Sequence, residues 1–166
     1  GGTVLLGTSL GLYYFDNDLN EFRKVGSKGE FDSLFVNALV NGNENEVWVG
    51  TSNGLFKLSN GINGVVDVFR KGKGKTSLVS NYVKDLDWDE KRNELWVATQ
   101  DGLSRYNPSE AKFFNIQMTP YADSIIENDI SEILIAVRSG RLWYTTENHT
   151  GLNCLSVEKD PYSDGP

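Results

Sequence analysis

One pattern occurs four times along this chain, and that repetition restricts the fold more than any other feature. The copies are Leu5-Leu6-Gly7-Thr8-Ser9-Leu10-Gly11-Leu12, Trp48-Val49-Gly50-Thr51-Ser52-Asn53-Gly54-Leu55 and Trp96-Val97-Ala98-Thr99-Gln100-Asp101-Gly102-Leu103. A fourth, Trp143-Tyr144-Thr145-Thr146, reaches Gly151-Leu152 after two extra residues. From Thr8 to Thr51, Thr99 and Thr146 the steps are 43, 48 and 47 residues. A chain built this way consists of similar supersecondary units, none able to bury its apolar faces alone, that stack on one another.

Each unit reads as strands joined by tight turns. Glu46-Val47-Trp48-Val49-Gly50-Thr51 is β-rich, a polar pair and a glycine follow, and Leu55-Phe56-Lys57-Leu58 resumes the strand pattern. Gly11, Gly54, Gly102 and Gly151 hold the position in that turn where a positive φ is expected. Further strands are expected before each pair, at Val36 to Val40, Val83 to Trp88 and Ile130 to Val137, and after it, at Glu21 to Val25, Val65 to Phe69 and Lys112 to Ile116. The expected fold is therefore all-β, with propeller blades of four antiparallel strands. Three, four, four and three strands make an incomplete segment of about 3.5 blades. We place the blades at approximately 1–28, 29–74, 75–120 and 121–160 of a single segment covering 1–166. In Leu95-Trp96-Val97-Ala98-Thr99 both faces of the strand are apolar or small, as expected for a strand sandwiched between neighbouring blades, so the tryptophans are expected at inter-blade seams.

Composition removes several classes of partner. The 166 residues carry 16 Lys plus Arg against 23 Asp plus Glu, a net charge of −7, which speaks against nucleic acid and anionic membrane surfaces. Cys154 is the single cysteine, so there is no internal disulfide and no thiolate cluster. No stretch approaches the roughly 20 apolar residues of a membrane span. Gly1-Gly2-Thr3-Val4-Leu5 offers neither an initiator Met nor a signal peptide, and the natural N-terminus is expected to lie upstream.

The Trp-Val-Gly/Ala-Thr-x-x-Gly-Leu motif, with a leader such as Ser77-Leu78-Val79-Ser80-Asn81-Tyr82-Val83, resembles the two-component regulator propeller repeat. The leader recurs as Ser124-Ile125-Ile126-Glu127-Asn128-Asp129-Ile130, and in both copies its last residue precedes the motif tryptophan by 13 positions. Ser33-Leu34-Phe35-Val36, Leu5 in place of Trp and the His149-Thr150 insertion depart from the pattern. In that family such repeats form the extracytoplasmic sensor region of bacterial hybrid two-component proteins, which signal through a membrane helix to a histidine kinase. The resemblance implies a periplasmic or extracytoplasmic segment of an inner-membrane protein. It further implies partners in a small-molecule or oligosaccharide ligand and in the remaining blades of the parent chain. It carries no binding residue, because the shared motif is scaffold and ligand contacts sit in variable loops.

Candidate chemistry is sparse. Arg70-Lys71-Gly72-Lys73-Gly74-Lys75-Thr76 ends like a phosphate-binding loop, but Phe69 stands where the first glycine is required; a solvated inter-blade loop is expected. Asp85, Asp87 and Asp89 alternate like the start of a calcium loop, yet Glu90 replaces the glycine and Trp96 the bidentate acid, so a charged strand end is expected. His149, the only histidine, has no partners at recognisable spacing. Asn148-His149-Thr150 matches a glycosylation sequon that matters only in a eukaryotic secreted protein. Cys154 aligns with Tyr14, Lys57 and Arg105, at a position that accepts large polar groups. The acidic residues offer many pairings for glycoside hydrolysis, but none lies in a motif that fixes the geometry.

No catalytic, cofactor-binding or metal residue is assigned, no cofactor is expected, and a sensor segment that is not an enzyme is the reading the residues favour. A propeller lyase or hydrolase and a protein-interaction scaffold are the alternatives. The missing histidine clusters disfavour the first, and the missing Gly-His and Trp-Asp signatures the second. Terminal blades of such a segment are expected to show unburied faces, through which the arc could self-associate.

Overall fold

The computed structural model describes residues 3–26, 29–43, 45–59, 62, 65–74, 76–117, 125, 127–148 and 151–157. They form fourteen strands and no α-helix. The first sheet comprises β1 (Leu5–Thr8), β2 (Gly11–Asp16) and β3 (Glu21–Lys24). The second holds β4 (Val36–Asn41), β5 (Glu46–Thr51), β6 (Gly54–Ser59) and β7 (Val65–Phe69). In the third are β8 (Val83–Asp89), β9 (Glu94–Thr99), β10 (Gly102–Asn107) and β11 (Lys112–Ile116). β12 (Ile130–Ala136), β13 (Arg141–Thr146) and β14 (Asn153–Ser156) make the fourth. Each sheet is an antiparallel meander in chain order. The result is an all-β, incomplete propeller-like segment with no closed barrel.

The motif's residue types follow from the hairpin at its centre. Thr8, Thr51 and Thr99 pair directly with Gly11, Gly54 and Gly102 across a two-residue turn. Each threonine hydroxyl donates to the carbonyl of that glycine, at 2.9, 2.8 and 2.6 Å. The same hydroxyls accept the amides of Leu10, Asn53 and Asp101. The glycines lie at φ of 118°, 120° and 132°, a region that penalises any Cβ. A Cβ at Gly54 would also meet the Phe69 carbonyl oxygen at 2.9 Å, and one at Gly102 the Ile116 oxygen at 2.6 Å.

Among the described residues, stacking the sheets creates three separate apolar cores, one per seam. Leu12, Val25, Phe31 and Val36 meet Val49, Phe56 and Leu58 between the first two sheets. Between the second and third, Trp48 and Leu55 meet Val83, Leu86, Leu95, Val97 and Tyr106. Trp96, Ala98 and Leu103 meet Ile130, Ile133, Ile135, Leu142 and Tyr144 at the last seam. The alternation of β5 explains the division: Trp48 points forward and Val49 backward, and both are fully buried. Trp48, Phe69, Tyr106 and Phe113 form a continuous aromatic packing, with ring centroids 4.8–5.6 Å apart.

Close approach of the sheets dictates the small residue after the apolar pair of the motif. A Cβ at Gly7 would stand 2.6 Å from Cγ1 of Val36, and one at Gly50 2.6 Å from Cγ1 of Val83. β4, β8 and β12 therefore nestle against the preceding sheet and lie side by side as the inner strands. All three carry a register shift near their start, between Val36 and Ala38, Val83 and Asp85, and Ile130 and Ile133. Such bulges bend a strand and redirect its side chains.

Candidate functional site

Strand pairing places the ends of the inter-sheet connections on the rim of the Thr-x-x-Gly turns. Phe69 ends β7 opposite Leu55, beside the Ser52-Asn53 turn, and Val36 starts β4 opposite Thr51 at the same end. The inter-sheet connections thus leave and enter the sheets at this rim, beside the Thr-x-x-Gly turns. A repeated hydrogen bond joins the two: the amides of Ser52, Gln100 and Glu147 donate to the carbonyls of Phe35, Tyr82 and Asp129. Those three acceptors sit immediately before the inner strands. Two of them are aromatic and open to solvent, Phe35 at 53% and Tyr82 at 40% exposure, and Leu10 projects from the first turn at 68%.

The rim's charges are largely neutralised locally. Lys84, inside the bulge of β8, pairs with Asp129 at 2.7 Å and Glu147 at 3.1 Å, tying the third sheet to the fourth. Partial burial opposes its charge, but the hydrogen bonds to Asp129 and Glu147 outweigh it and hold the ammonium above its usual range. Glu147 is held below the ordinary carboxylate range, first by its hydrogen bond from Lys84. Lys71 reaches Asp101 at 3.0 Å, and the Arg70 Nε donates to the Asn53 carbonyl. Phosphate-loop geometry is missing from 70–74 and 76. Gly72 N–H donates to the Ser77 hydroxyl, that hydroxyl donates to the Gly74 carbonyl, and the chain proceeds to β8 without a helix; Lys75 lies outside the described residues.

Two of the three alternating aspartates hold the third seam and the third holds the β8–β9 turn. Asp85 accepts the Ile133 amide at 2.9 Å and Asp87 the Ile135 amide at 2.6 Å, so two carboxylates of β8 cap the backbone of β12. Asp89 is fully buried, accepts the amides of Lys91 and Arg92, and pairs with the Arg92 guanidinium at 2.9 Å. Burial pushes the Asp87 carboxyl above its ordinary range, with a smaller push from Asp85 and Asp89, although the Ile135 and Trp88 amides counter it. Among the described residues no three His, Cys, Asp or Glu side chains converge as metal ligands would.

Other singled-out residues stand apart. His149 and Thr150 lie outside the described residues, while Asn148 Nδ2 donates to Glu127 at 2.5 Å. Cys154 is exposed on β14 and pairs directly across from Trp143. The same register sets Tyr14, Lys57 and Arg105 opposite Leu5, Trp48 and Trp96. Lys57 accordingly lies 5.5 Å over the Trp48 ring, which accounts for polar groups at that position. Sequence reasoning missed the carboxylate clamp across the seam and the exposed aromatics at Phe35 and Tyr82. The shared position of the latter, one residue before each inner strand, was the available signal.

No protein-family model matches this chain, and no curated protein does. Solved structures do resemble it. The extracellular domain of a putative hybrid two component system from B. thetaiotaomicron superimposes with a TM-score of 0.69 at 19% identity, over 95% of this chain and 22% of that one. A second such domain from the same organism gives 0.62 at 18%, over 99% and 28%. PorZ, a bacterial surface component of the type-IX secretion system of Porphyromonas gingivalis, gives 0.67 at 20%, over 94% and 25%. The chain thus spans about a quarter of the length of these structures, and the likeness at this identity is one of fold.

Proposed function

We propose that the chain is an arc of the ligand-sensing, extracytoplasmic propeller of a bacterial two-component sensor, and that it binds rather than catalyses. The parent protein would pass the signal through the inner membrane to a histidine kinase. The ligand would be a glycan fragment or another small molecule, held by the rim while the sheets keep the loops in place. One observation carries this reading: the inter-sheet connections leave and enter the sheets at the rim of the Thr-x-x-Gly turns, where Phe35 and Tyr82 are exposed at equivalent positions. Flat aromatic faces beside backbone donors and acceptors suit a polar ring with apolar C–H faces. The likeness to extracellular domains of hybrid two component systems supports the same assignment.

Isothermal titration against an oligosaccharide panel tests it. Saturable heat should be measured with at least one member, and lost in Phe35→Ala or Tyr82→Ala with the melting temperature unchanged. Absence of heat and of thermal shift across the panel overturns glycan sensing.

A further inference from the structure

The three inter-sheet connections differ sharply in charge. That at 70–82 carries Arg70, Lys71, Lys73 and Lys75 and no acidic residue. The connection at 25–35 sets Lys28 against Glu30 and Asp32, and that at 117–129 holds Asp123, Glu127 and Asp129 with no base. Of the three, only the second meets an anion with attraction, on a chain whose net charge of −7 repels one. Folding uses part of this charge and leaves the rest. Lys24, Lys71 and Lys84, in or beside the connections, pair with carboxylates at 2.7, 3.0 and 2.7 Å. Arg70 and Lys73 are exposed, and among the described residues neither forms an ion pair. Asp101, in the adjacent turn, is taken up by Lys71 and so does not cancel Arg70.

Although exposed, the Arg70 guanidinium is held in place. Its Nε donates to the Asn53 carbonyl at 3.2 Å, and its Cζ stands 5.9 Å over the Phe56 ring. These contacts leave both Nη groups, the fork that grips a carboxylate or sulfate at two points. One turn brings Tyr82 alongside. The Gly54 amide donates to the Asn81 carbonyl at 2.7 Å, and a Cβ on Gly54 would stand 3.2 Å from Cγ of Arg70, so Arg70 and the 81–82 segment flank the same residue. The Asn81 side chain accepts the Lys71 amide at 2.7 Å and closes this ring of contacts. We propose that this corner of the rim is an anion subsite for an acidic sugar, a uronic acid or a sulfated residue. The sugar ring lies on the exposed Tyr82 face, its acidic group sits on the Nη edge of Arg70, and Lys71 and Lys73 add long-range attraction. Because backbone contacts fix the fork and the aromatic face beforehand, little ordering is left to be done on binding.

This inference rests on the glycan-sensing reading and narrows it to a ligand class. The test is isothermal titration at low ionic strength with two matched pairs: trigalacturonate against the galactotriose of the same linkage, and 6-sulfo-lactose against lactose. In at least one pair the acidic sugar should bind about tenfold or more tightly than its neutral counterpart, the effect of one hydrogen bond to a charged group. The pair that shows it tells a carboxylate ligand from a sulfate. Arg70→Gln should abolish the advantage with the melting temperature unchanged, and Arg70→Lys, which keeps the charge and loses the fork, should retain only part of it. Lys91→Gln removes the same charge from the β8–β9 turn, at the opposite end of the third sheet, and should leave the advantage intact. Equal affinity within both pairs overturns the subsite and leaves glycan sensing standing. So does an acidic preference that survives Arg70→Gln or falls as far in Lys91→Gln. Silence from all four sugars, where another oligosaccharide gives heat, overturns the subsite alone, and silence from every sugar removes both readings.

Discussion

Replacing the motif tryptophans one at a time measures how the seams are made. Trp48 and Trp96 are buried at 0% and 1% between sheets that cannot move together independently of their hydrogen-bonded neighbours. A buried indole withdraws about 150–250 Å² from water, which at about 25 cal/mol per Å² comes to about 4–6 kcal/mol. Against this, Nε1 of both rings is buried without a hydrogen-bond partner among the described residues, a cost of about 1–3 kcal/mol that truncation relieves. Truncation also leaves a cavity that stiff sheets close poorly, and the net loss for Trp48→Ala or Trp96→Ala is about 3–5 kcal/mol. Trp143→Ala removes a ring that keeps part of its surface in solvent, and its smaller buried area makes its loss smaller than that at Trp48 or Trp96. Urea unfolding followed by circular dichroism gives all three values under one condition. Equal losses at the three positions, or a loss below about 1 kcal/mol at Trp48 or Trp96, would refute the assignment of the seams.

Gly102→Ala should cost more than about 1 kcal/mol, through both the positive φ and the Ile116 oxygen 2.6 Å from the new Cβ. Gly151→Ala, at φ 122° with no atom of the described residues within 4 Å of the new Cβ, should cost less; equal denaturation midpoints would remove the steric part of the argument. Asp87 is harder to ionise folded than unfolded, so the folded chain binds its proton more readily between that raised pKa and the ordinary 3.8. Its contribution to stability therefore grows as pH falls through the raised pKa and levels off below the ordinary one. The stability difference between wild type and Asp87→Asn should shift toward wild type from neutral to mildly acidic buffer, and a pH-independent difference would mean a solvated carboxylate. Because Asp85, Asp87 and Asp89 are engaged with backbone amides, adding calcium to chelator-treated protein should leave the melting temperature unchanged.

The four strand groups are legible in the sequence, and the inner and outer strands given bounds there match to within a residue or so, because Thr-x-x-Gly marks the central hairpin of the first three units and the flanking strands keep apolar patterns. Fully apolar runs such as Leu95 to Ala98 also announce burial on both faces. The bulges are not legible: Asn37-Ala38, Lys84-Asp85 and Ser131-Glu132 contain no glycine or proline to mark an extra residue. Their consequence, a carboxylate turned across the seam toward an amide of the next inner strand, is a contact between residues 48 apart and has no local signature. The rim was foreseeable as a place and not as a set of residues, since a loop's contacts depend on neighbouring sheets rather than on its own pattern.

Three cores that share no side chain have a consequence for how this molecule comes apart. Each sheet is held through its immediate neighbours, so the free energy of the arc behaves as a chain of nearest-neighbour couplings. The second and third sheets are each gripped on two sides, the first and fourth on one. Amide exchange should therefore slow from the outer sheets inward, most in β5 and β9 and least in β3 and β14, whose residues are largely exposed. Any body covering the bare side of the fourth sheet would add one more coupling to that series, and its stabilising effect would be felt first in β12, β13 and β14.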